Sequence, residues 1–243
     1  MKRKVHPFFV VYQLLVAYPL LMIITLLVAL ATIVLSPVFP NNSISYYPAR
    51  WWGRVICLLF FVKVKFSGLD SVDPKQSFIV AANHQSMFDI FIIYGWLPHY
   101  FKWMMKAELR KIPLVGKACE SAGHIFINRT NPVAAHHSIE KAERQLQNGV
   151  SLVIFPEGTR TFTGQMGSFK KGAFRIASDL KLPILPVTID GAFEVMPRSS
   201  YIVKPGTIRV TFHPPIPVLD FLPDKVPDLI QTTHTIIASG LTK

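Results

Sequence analysis

Residues 14–35 form a run of 22 amino acids without a single charged side chain. As a helix this run would be about 33 Å long, and the hydrocarbon core of a bilayer is about 30 Å thick. The run is longer than the apolar part of a cleaved signal peptide, and no cleavage site of small residues follows it. We therefore expect this part of the chain to lie in or against a lipid bilayer.

A turn and a second, shorter apolar stretch follow. Residues 37–42 contain two prolines and two asparagines, which indicate a turn. The stretch 51–62 is interrupted by Arg54 and is too short to span a bilayer alone. We predict a helical hairpin that enters one leaflet and returns, with a single span as the alternative. The bases at positions 2–4 favour a cytoplasmic amino terminus, and a hairpin leaves the rest on that side.

The positive charge is concentrated beside this apolar region. The 243 residues include 26 Lys+Arg and 14 Asp+Glu, a formal net charge of +12, and residues 1–69 contain seven bases and no acid. Nucleic acid and an anionic bilayer both suit such a charge. Because the bases flank an apolar segment, we expect anionic membrane lipids as the partner and no nucleic acid. Two cysteines in a chain of this length exclude a disulfide scaffold.

The remaining sequence has the pattern of an α/β domain. Several apolar runs are continuous, which is typical of strands in a sheet covered on both faces. Strands are predicted at 60–66, 78–82, 99–104, 124–128, 151–155, 184–189 and 207–213, and helices at 87–96, 132–148, 172–180 and 225–239. The helix at 132–148 lies between two strands, as in a parallel βαβ unit. We predict a membrane-associated segment at 1–66 and an α/β domain at 67–243 with a mostly parallel central sheet flanked by helices.

A polar motif, Asn83 to Asp89, directly follows the second predicted strand. Open α/β sheets bind ligands at the carboxyl ends of their strands. Five residues along a helix turn through about 500°, so His84 and Asp89 do not share a helical face, and we place His84 in the loop and Asp89 in the first helical turn. Ser86 fits an N-cap of that helix. Helix capping and a structural loop histidine remain alternatives to catalysis.

The chemistry of such a pair is that of a general base. A carboxylate that accepts a hydrogen bond from one imidazole N–H fixes the tautomer and leaves the other nitrogen free to take a proton. The chain has no Gly-x-Ser-x-Gly nucleophile motif, and neither Cys57 nor Cys119 lies in a nucleophile motif. We therefore expect His84 to activate a hydroxyl group of the substrate itself. Backbone N–H groups near the helix that starts at Ser86 are candidate donors to the developing oxyanion.

A second polar motif, residues 155–160, ends another buried strand. Gly158 allows the backbone to approach a ligand closely, and Arg160 can bind a phosphate through two parallel hydrogen bonds. Lys106 and Arg129 follow two further predicted strands. With Arg160 they would form a cationic pocket for a phosphomonoester, and an ordinary surface charge is the alternative for each. His136-His137 lacks the context of a metal site, so no metal is expected.

Together, these motifs resemble those of the phospholipid-biosynthetic glycerolipid acyltransferases. The resemblance covers about residues 78–189. It rests on Asn-His84-Gln-Ser-x-x-Asp89, Lys106-x-Glu-Leu with Pro113 and Gly116, Phe126-Ile-x-Arg129, Phe155-Pro-Glu157-Gly158-Thr159-Arg160, and Leu182-Pro183 through Pro186. The first and fourth of these blocks look more like those of the lysophosphatidate enzymes than those of the glycerol-3-phosphate enzymes.

The resemblance implies acyl transfer from acyl-CoA or acyl-carrier protein to the 2-hydroxyl of lysophosphatidate, giving phosphatidate in a membrane, with no metal or redox cofactor. It implies that His84 is the general base and Asp89 its orienting partner. It also implies that the block near Pro183 and Pro186 shapes the acyl site. The substrate-binding residues that it implies are Lys106, Arg129, Glu157, Gly158, Thr159 and Arg160.

Three other functions remain compatible with the same residues. One is acyl transfer to glycerol 3-phosphate or another lysolipid. A second is a lipid hydrolase that uses water at the same His84–Asp89 pair. The third is a membrane protein that binds a lysolipid without catalysis. An acyltransferase forms its product from the thioester only when an acceptor is present, and a hydrolase releases free fatty acid without one. A binding protein does neither.

Overall fold

A computed structural model of the chain describes residues 5–40, 43–127, 146, 149–221 and 225–242. The structural statements below concern these residues. Two sequence predictions, the phosphate ligand Arg129 and nearly all of the helix at 132–148, lie outside the described residues.

The amino-terminal segment forms two helices that pack against each other. Helix α1 spans Pro7–Val38, has a mean hydropathy of 2.6, and is the one described helix long and apolar enough to cross a membrane. Helix α2 spans Ser43–Leu59, and Trp52 Nε1 donates a hydrogen bond to Thr25 Oγ1 of α1 at 3.0 Å. The two helices of the predicted hairpin are therefore present, and their entry into one leaflet stays a prediction.

Helix α1 deviates from regular geometry over one turn. Residues Gln13–Ala17 are π-helical and come just before Pro19. A proline ring conflicts with the carbonyl four residues earlier in a regular α-helix, which the wider turn relieves. In this turn the amide of Gln13 donates to Val203 O at 3.0 Å and accepts from Val203 N at 2.8 Å. These two bonds attach the apolar helix to the α/β domain.

All seven predicted strands occur, each within two residues of the expected ends. They are β1 Val62–Ser67, β2 Ile79–Ala82, β3 Tyr100–Lys106, β4 Ile125–Ile127, β5 Val150–Ile154, β6 Ile184–Asp190 and β7 Gly206–Phe212. They form one sheet in the order β1-β7-β6-β2-β5-β3-β4. The β6–β7 pairing is antiparallel and the other described pairings are parallel. The mostly parallel sheet is confirmed, and β1 crosses the domain boundary predicted at residue 66.

The described helices of the α/β domain are α3 Phe88–Trp96, α4 Val115–Ser121, α5 Lys171–Asp179, the short α6 Ala192–Val195 and α7 Val226–Ser239. Alternate residues of β2 face opposite layers. Val80 and Ala82 belong to the core beneath α2 and α3, and Ile79 and Ala81 to the core beneath α5 and α7. The continuous apolar strands are thus covered on both faces, as the sequence predicted.

Helix α2 also packs closely against α3. A Cβ atom added at Gly53 would lie 2.2 Å from the carbonyl oxygen of Phe91, so no larger residue fits there. One residue later, Arg54 Nε donates to Gly95 O at 2.8 Å. The membrane-associated hairpin and the helix that begins beside the polar motif therefore touch backbone to backbone.

Candidate active site

The His84–Asp89 pair lies at the carboxyl end of β2. His84 Nδ1 is 2.8 Å from Asp89 Oδ2, with side-chain exposures of 14% and 0%. An ionised carboxylate only accepts hydrogen bonds, so Nδ1 carries the proton. The neutral ring then presents a lone pair at Nε2. The pair predicted from the sequence is brought together with the geometry of an oriented base.

Asp89 binds more than the imidazole. Its Oδ2 also accepts the backbone N–H groups of Gln85 at 2.7 Å and Ser86 at 2.8 Å. The same carboxylate therefore orients His84 and holds the loop that leads into α3, and the N-cap residue of that helix, Met87, makes no side-chain cap hydrogen bond. The N–H groups of Gln85 and Ser86, which we considered as oxyanion donors, are engaged with this carboxylate.

The predicted N-cap at Ser86 needs a small correction. Helix α3 begins at Phe88, after Met87, one residue later than a cap at Ser86 requires. Ser86 Oγ still accepts the N–H of Phe88 at 3.2 Å, and its own hydroxyl donates to Met196 O at 2.8 Å. This second bond joins the loop before α3 to the segment after α6.

The imidazole is held from its face by an aromatic ring. The ring of Phe155 stacks on His84 with 3.9 Å between centroids and 5° between planes. Trp103 also contacts Phe155, with 5.3 Å between the ring centroids and 32° between the planes. Stacking limits rotation of His84 about its χ2 angle, so Nε2 keeps one direction. Phe155 is the first residue of the second polar motif, which links the two loops through their side chains.

Glu157 links the same loops through their backbones. Its Oε1 accepts the N–H of His84 at 2.7 Å and its Oε2 accepts the N–H of Gly167 at 2.8 Å. Burial raises the pKa of this carboxyl, and the two backbone hydrogen bonds oppose that shift. Both oxygens are thus engaged within the protein, and a direct contact of Glu157 with an acceptor stays a prediction.

Asn83 fixes the position where the chain leaves β2. Its amide donates to Ile189 O at 2.8 Å and accepts from Ile189 N at 2.7 Å. The side chain thus imitates one more backbone pair between β2 and β6. Asn83 stood in the motif without an assigned role, and its place directly after an apolar strand was the only signal for this contact.

The second polar motif turns sharply beside the dyad. Gly158 has a φ of 75°, a conformation that favours glycine, and its N–H donates to Phe155 O at 2.9 Å. Thr159 is exposed and Arg160 is partly buried. Burial and the nearby guanidinium of Arg198 lower the pKa of Arg160, and the charge of Asp89 opposes this shift. The N–H of Thr161 donates to His84 O at 3.1 Å, so the loop that carries Gly158, Thr159 and Arg160 runs beside the base.

Arg198 was not among the site residues predicted from the sequence. Its Nη1 donates to Thr159 Oγ1 at 2.7 Å and to Arg160 O at 2.9 Å. Its guanidinium also lies over the ring of Phe162, 4.0 Å from the centroid. No motif surrounds Arg198. Only its position, a base in the chain that follows β6 at the active edge of the sheet, was a usable signal.

Lys106 lies further away along the same edge. It is the last residue of β3, which pairs with β5 in parallel, and its side chain is exposed. No hydrogen bond or ion pair joins it to the dyad among the described residues.

The block from Leu182 to Pro186 leads into β6, and Pro183 O accepts the N–H of Ile79 at 3.0 Å. Its role at the acyl site stays a prediction.

The described residues contain no group of three or more His, Cys, Asp and Glu side chains that could hold a metal ion. The site therefore offers one imidazole base, one orienting carboxylate and, beside them, two guanidinium groups. This arrangement can remove a proton from a hydroxyl group and bind an anion close to it.

The chain is similar to known acyltransferases in both sequence and fold. The family profile described as Acyltransferase matches residues 63–190. A 1-acyl-sn-glycerol-3-phosphate acyltransferase of Limnanthes douglasii is 32% identical over 190 residues, covering 78% of this chain and 67% of the relative. The human alpha enzyme of that name is 33% identical over 181 residues, covering 74% and 64%. The crystal structure of PlsC, the 1-acyl-sn-glycerophosphate acyltransferase of Thermotoga maritima, superposes with a TM-score of 0.72 at 26% identity, covering 90% and 95%.

Proposed function

This chain belongs to the acyltransferase family, and we propose that it transfers a fatty acyl group from an acyl thioester to the 2-hydroxyl of 1-acyl-glycerol 3-phosphate, giving phosphatidate. Family membership confirms the resemblance and the enzyme class predicted from the sequence. The observation that carries the proposal is the 2.8 Å contact between His84 Nδ1 and Asp89 Oδ2, which leaves Nε2 as a base. The names of the relatives support lysophosphatidate over glycerol 3-phosphate as the acceptor.

In the proposed reaction, His84 Nε2 takes the proton of the acceptor hydroxyl as its oxygen attacks the thioester carbonyl carbon. A C–O bond forms, the C–S bond breaks, and the departing thiolate receives the proton from the imidazolium. Asp89 stabilises that imidazolium, because a hydrogen bond to a charged donor is stronger than one to a neutral ring. A positioned base contributes about 10²- to 10⁴-fold to the rate. The thioester supplies the leaving group, so this mechanism requires no metal or redox cofactor.

The acceptor would bind through its phosphate. Arg160 presents a guanidinium beside the dyad, and a planar guanidinium binds phosphate oxygens through two parallel hydrogen bonds. This contact would hold the glycerol backbone with its free hydroxyl toward Nε2. Lys106 and Arg129 remain proposed as further phosphate ligands, and acyl-CoA and acyl-carrier protein remain the two proposed donors.

Membrane association suits these substrates. The outward side chains of α1 are apolar and exposed, among them Leu15 at 72% and Met22 at 66%. Moving an acyl chain from lipid into water costs about 0.8 kcal/mol per CH₂, so an enzyme seated at the bilayer avoids that cost. The acid-free segment 1–69 supports contact with anionic lipids. We place the α/β domain on the cytoplasmic side, where the thioester donors are made.

The test uses the full chain in lipid vesicles with a labelled acyl-CoA or acyl-carrier protein. Each donor is supplied alone, with lysophosphatidate, or with glycerol 3-phosphate. We expect labelled phosphatidate only when lysophosphatidate is present. Free fatty acid released without an acceptor would instead indicate a hydrolase. Binding of lysophosphatidate without any product would indicate a binding protein, and a preference for glycerol 3-phosphate would reassign the acceptor.

A further inference from the structure

Two arginines meet at the edge of the site although they lie far apart in sequence. Arg198 follows α6 and reaches the motif loop with two hydrogen bonds from Nη1, to Thr159 Oγ1 and Arg160 O. The ring of Phe162 lies under its guanidinium plane at 4.0 Å. Thus one edge of Arg198 is fixed to the loop and one face is covered. The donors at Nη2 and Nε have no hydrogen-bond acceptor among the described residues.

No carboxylate of the described residues forms an ion pair with either guanidinium, that of Arg160 or that of Arg198. Of the two buried acids in the motifs, Glu157 accepts backbone N–H groups through both oxygens, and Asp89 accepts the imidazole through Oδ2. Two like charges repel, and the charge of Arg198 adds to burial in lowering the pKa of Arg160, while the charge of Asp89 opposes this shift. Such a pair is stabilised when an anion binds between its members.

We propose that Arg198 is a specificity-determining residue of the acceptor site, which with Arg160 selects a dianionic phosphomonoester over a phosphodiester. This inference rests on the proposed function. A phosphomonoester carries about −1.5 to −2 charges at neutral pH and three acceptor oxygens, whereas a phosphodiester carries one charge and two such oxygens. The two guanidinium groups can together donate to all three oxygens of a phosphomonoester. A phosphodiester has only two such oxygens, so one guanidinium finds fewer acceptors.

The second arginine has two physical effects. Its hydrogen bond to the carbonyl of Arg160 fixes the backbone from which that side chain projects. Its own charge adds to the potential at the same position. The first effect acts on every acceptor alike. The second effect grows with the charge of the acceptor, so only the second changes the preference between acceptors.

The test compares two acceptors with the same acyl chain, lysophosphatidate and lysophosphatidylglycerol, the second being a phosphodiester. The full-length enzyme in lipid vesicles is assayed as wild type, Arg198→Gln and Arg198→Lys, with Arg175→Gln as control because Arg175 is exposed on α5. We expect Arg198→Gln to raise the KM for lysophosphatidate about 10- to 100-fold with little change in kcat. The KM for the phosphodiester should change less than about threefold. Arg198→Lys should recover part of the preference, and Arg175→Gln should change neither constant.

Equal KM changes for both acceptors, or a loss of kcat at constant KM, would overturn the inference and leave Arg198 with a purely structural role.

A second measurement needs no variant. The second pKa of a phosphomonoester is about 6, so the wild-type preference for lysophosphatidate should narrow between about pH 7.5 and 5.5. A preference that stays constant over that range would also overturn the inference. If the wild type acylates neither acceptor, the proposed function itself fails, which is a separate result.

Discussion

The carboxylate of Glu157 holds the backbone of His84, with Oε1 accepting the His84 N–H at 2.7 Å. The general base is therefore fixed twice, at its ring by Asp89 and at its main chain by a residue of the second motif. This contact explains in structural terms why the two motifs occur together, since neither loop alone determines where Nε2 points.

Replacing Glu157 by Gln tests this contact. An amide has one acceptor oxygen, so either the N–H of His84 or that of Gly167 must face another donor. Leaving a buried donor unpaired costs about 1–3 kcal/mol. We expect Glu157→Gln to lower the thermal stability and to reduce kcat, with a smaller effect on the acceptor KM. A variant with unchanged kcat and melting temperature would contradict the role of Glu157 as a link between the loops.

His84→Ala should abolish turnover while the chain stays folded. The side chain is partly exposed, so its loss leaves no large internal cavity. Asp89→Asn should reduce turnover about 10²- to 10⁴-fold, because an amide can donate to Nδ1 and stabilise the wrong tautomer. Circular dichroism of each variant controls for folding. Full activity in a folded His84→Ala protein would rule out the proposed base.

Arg160→Ala should mainly raise the KM for lysophosphatidate. The guanidinium is expected to bind the phosphate in the ground state and the transition state alike, so kcat changes less. Steady-state kinetics with varied acceptor measure the effect, and Arg175→Ala serves as the exposed control. An unchanged KM would remove Arg160 from the phosphate site.

His124 should make the fold sensitive to acid. Its Nδ1 accepts the N–H of Trp103 at 3.2 Å and its Nε2 pairs with Tyr94 Oη at 2.8 Å, so the buried ring is satisfied only when neutral. Burial, assisted by the charge of Lys102, lowers its pKa from 6.5 to about 3. The unfolded chain takes up a proton between these values, so stability falls as the pH drops below 6.5, by about 2 kcal/mol at pH 5.

Chemical denaturation at pH 7 and pH 5 measures this loss. His124→Asn keeps an acceptor for Trp103 but has no proton to gain. The variant should be less stable than the wild type at pH 7, yet lose less stability on acidification. The same pH dependence in both proteins would assign the acid sensitivity to other groups.

Protease applied to sealed inverted vesicles should cut the α/β domain, because a hairpin in one leaflet leaves that domain on the cytoplasmic face. Right-side-out vesicles provide the control and should protect it. Protection in inverted vesicles would favour the single span that the bases at positions 2–4 also permit.

Local sequence patterns predicted the elements of this fold better than their contacts. The strands were predictable because continuous apolar runs between turn residues suit a sheet covered on both faces. The His84–Asp89 contact was predictable because both residues belong to one short segment. By contrast, Asn83 meets Ile189 across 106 positions, and Arg198 meets Arg160 across 38. Such contacts depend on how distant segments pack, which no short sequence pattern encodes.

The direction of β7 is another example. Its alternating burial marks a strand, but nothing in that pattern distinguishes a parallel partner from an antiparallel one, and the structure pairs it antiparallel to β6. The Arg198 contacts could not be predicted from a local sequence pattern either. A lone base after a strand is common on protein surfaces, so its approach to Thr159 becomes visible only in three dimensions.

The close contact at Gly53 makes the anchor and the catalytic machinery a single mechanical unit. With no side chain between α2 and the carbonyl of Phe91, the hairpin cannot slide without carrying the amino end of α3, and Asp89 with it. We therefore expect the depth of the hairpin in lipid to set the height of the imidazole above the bilayer.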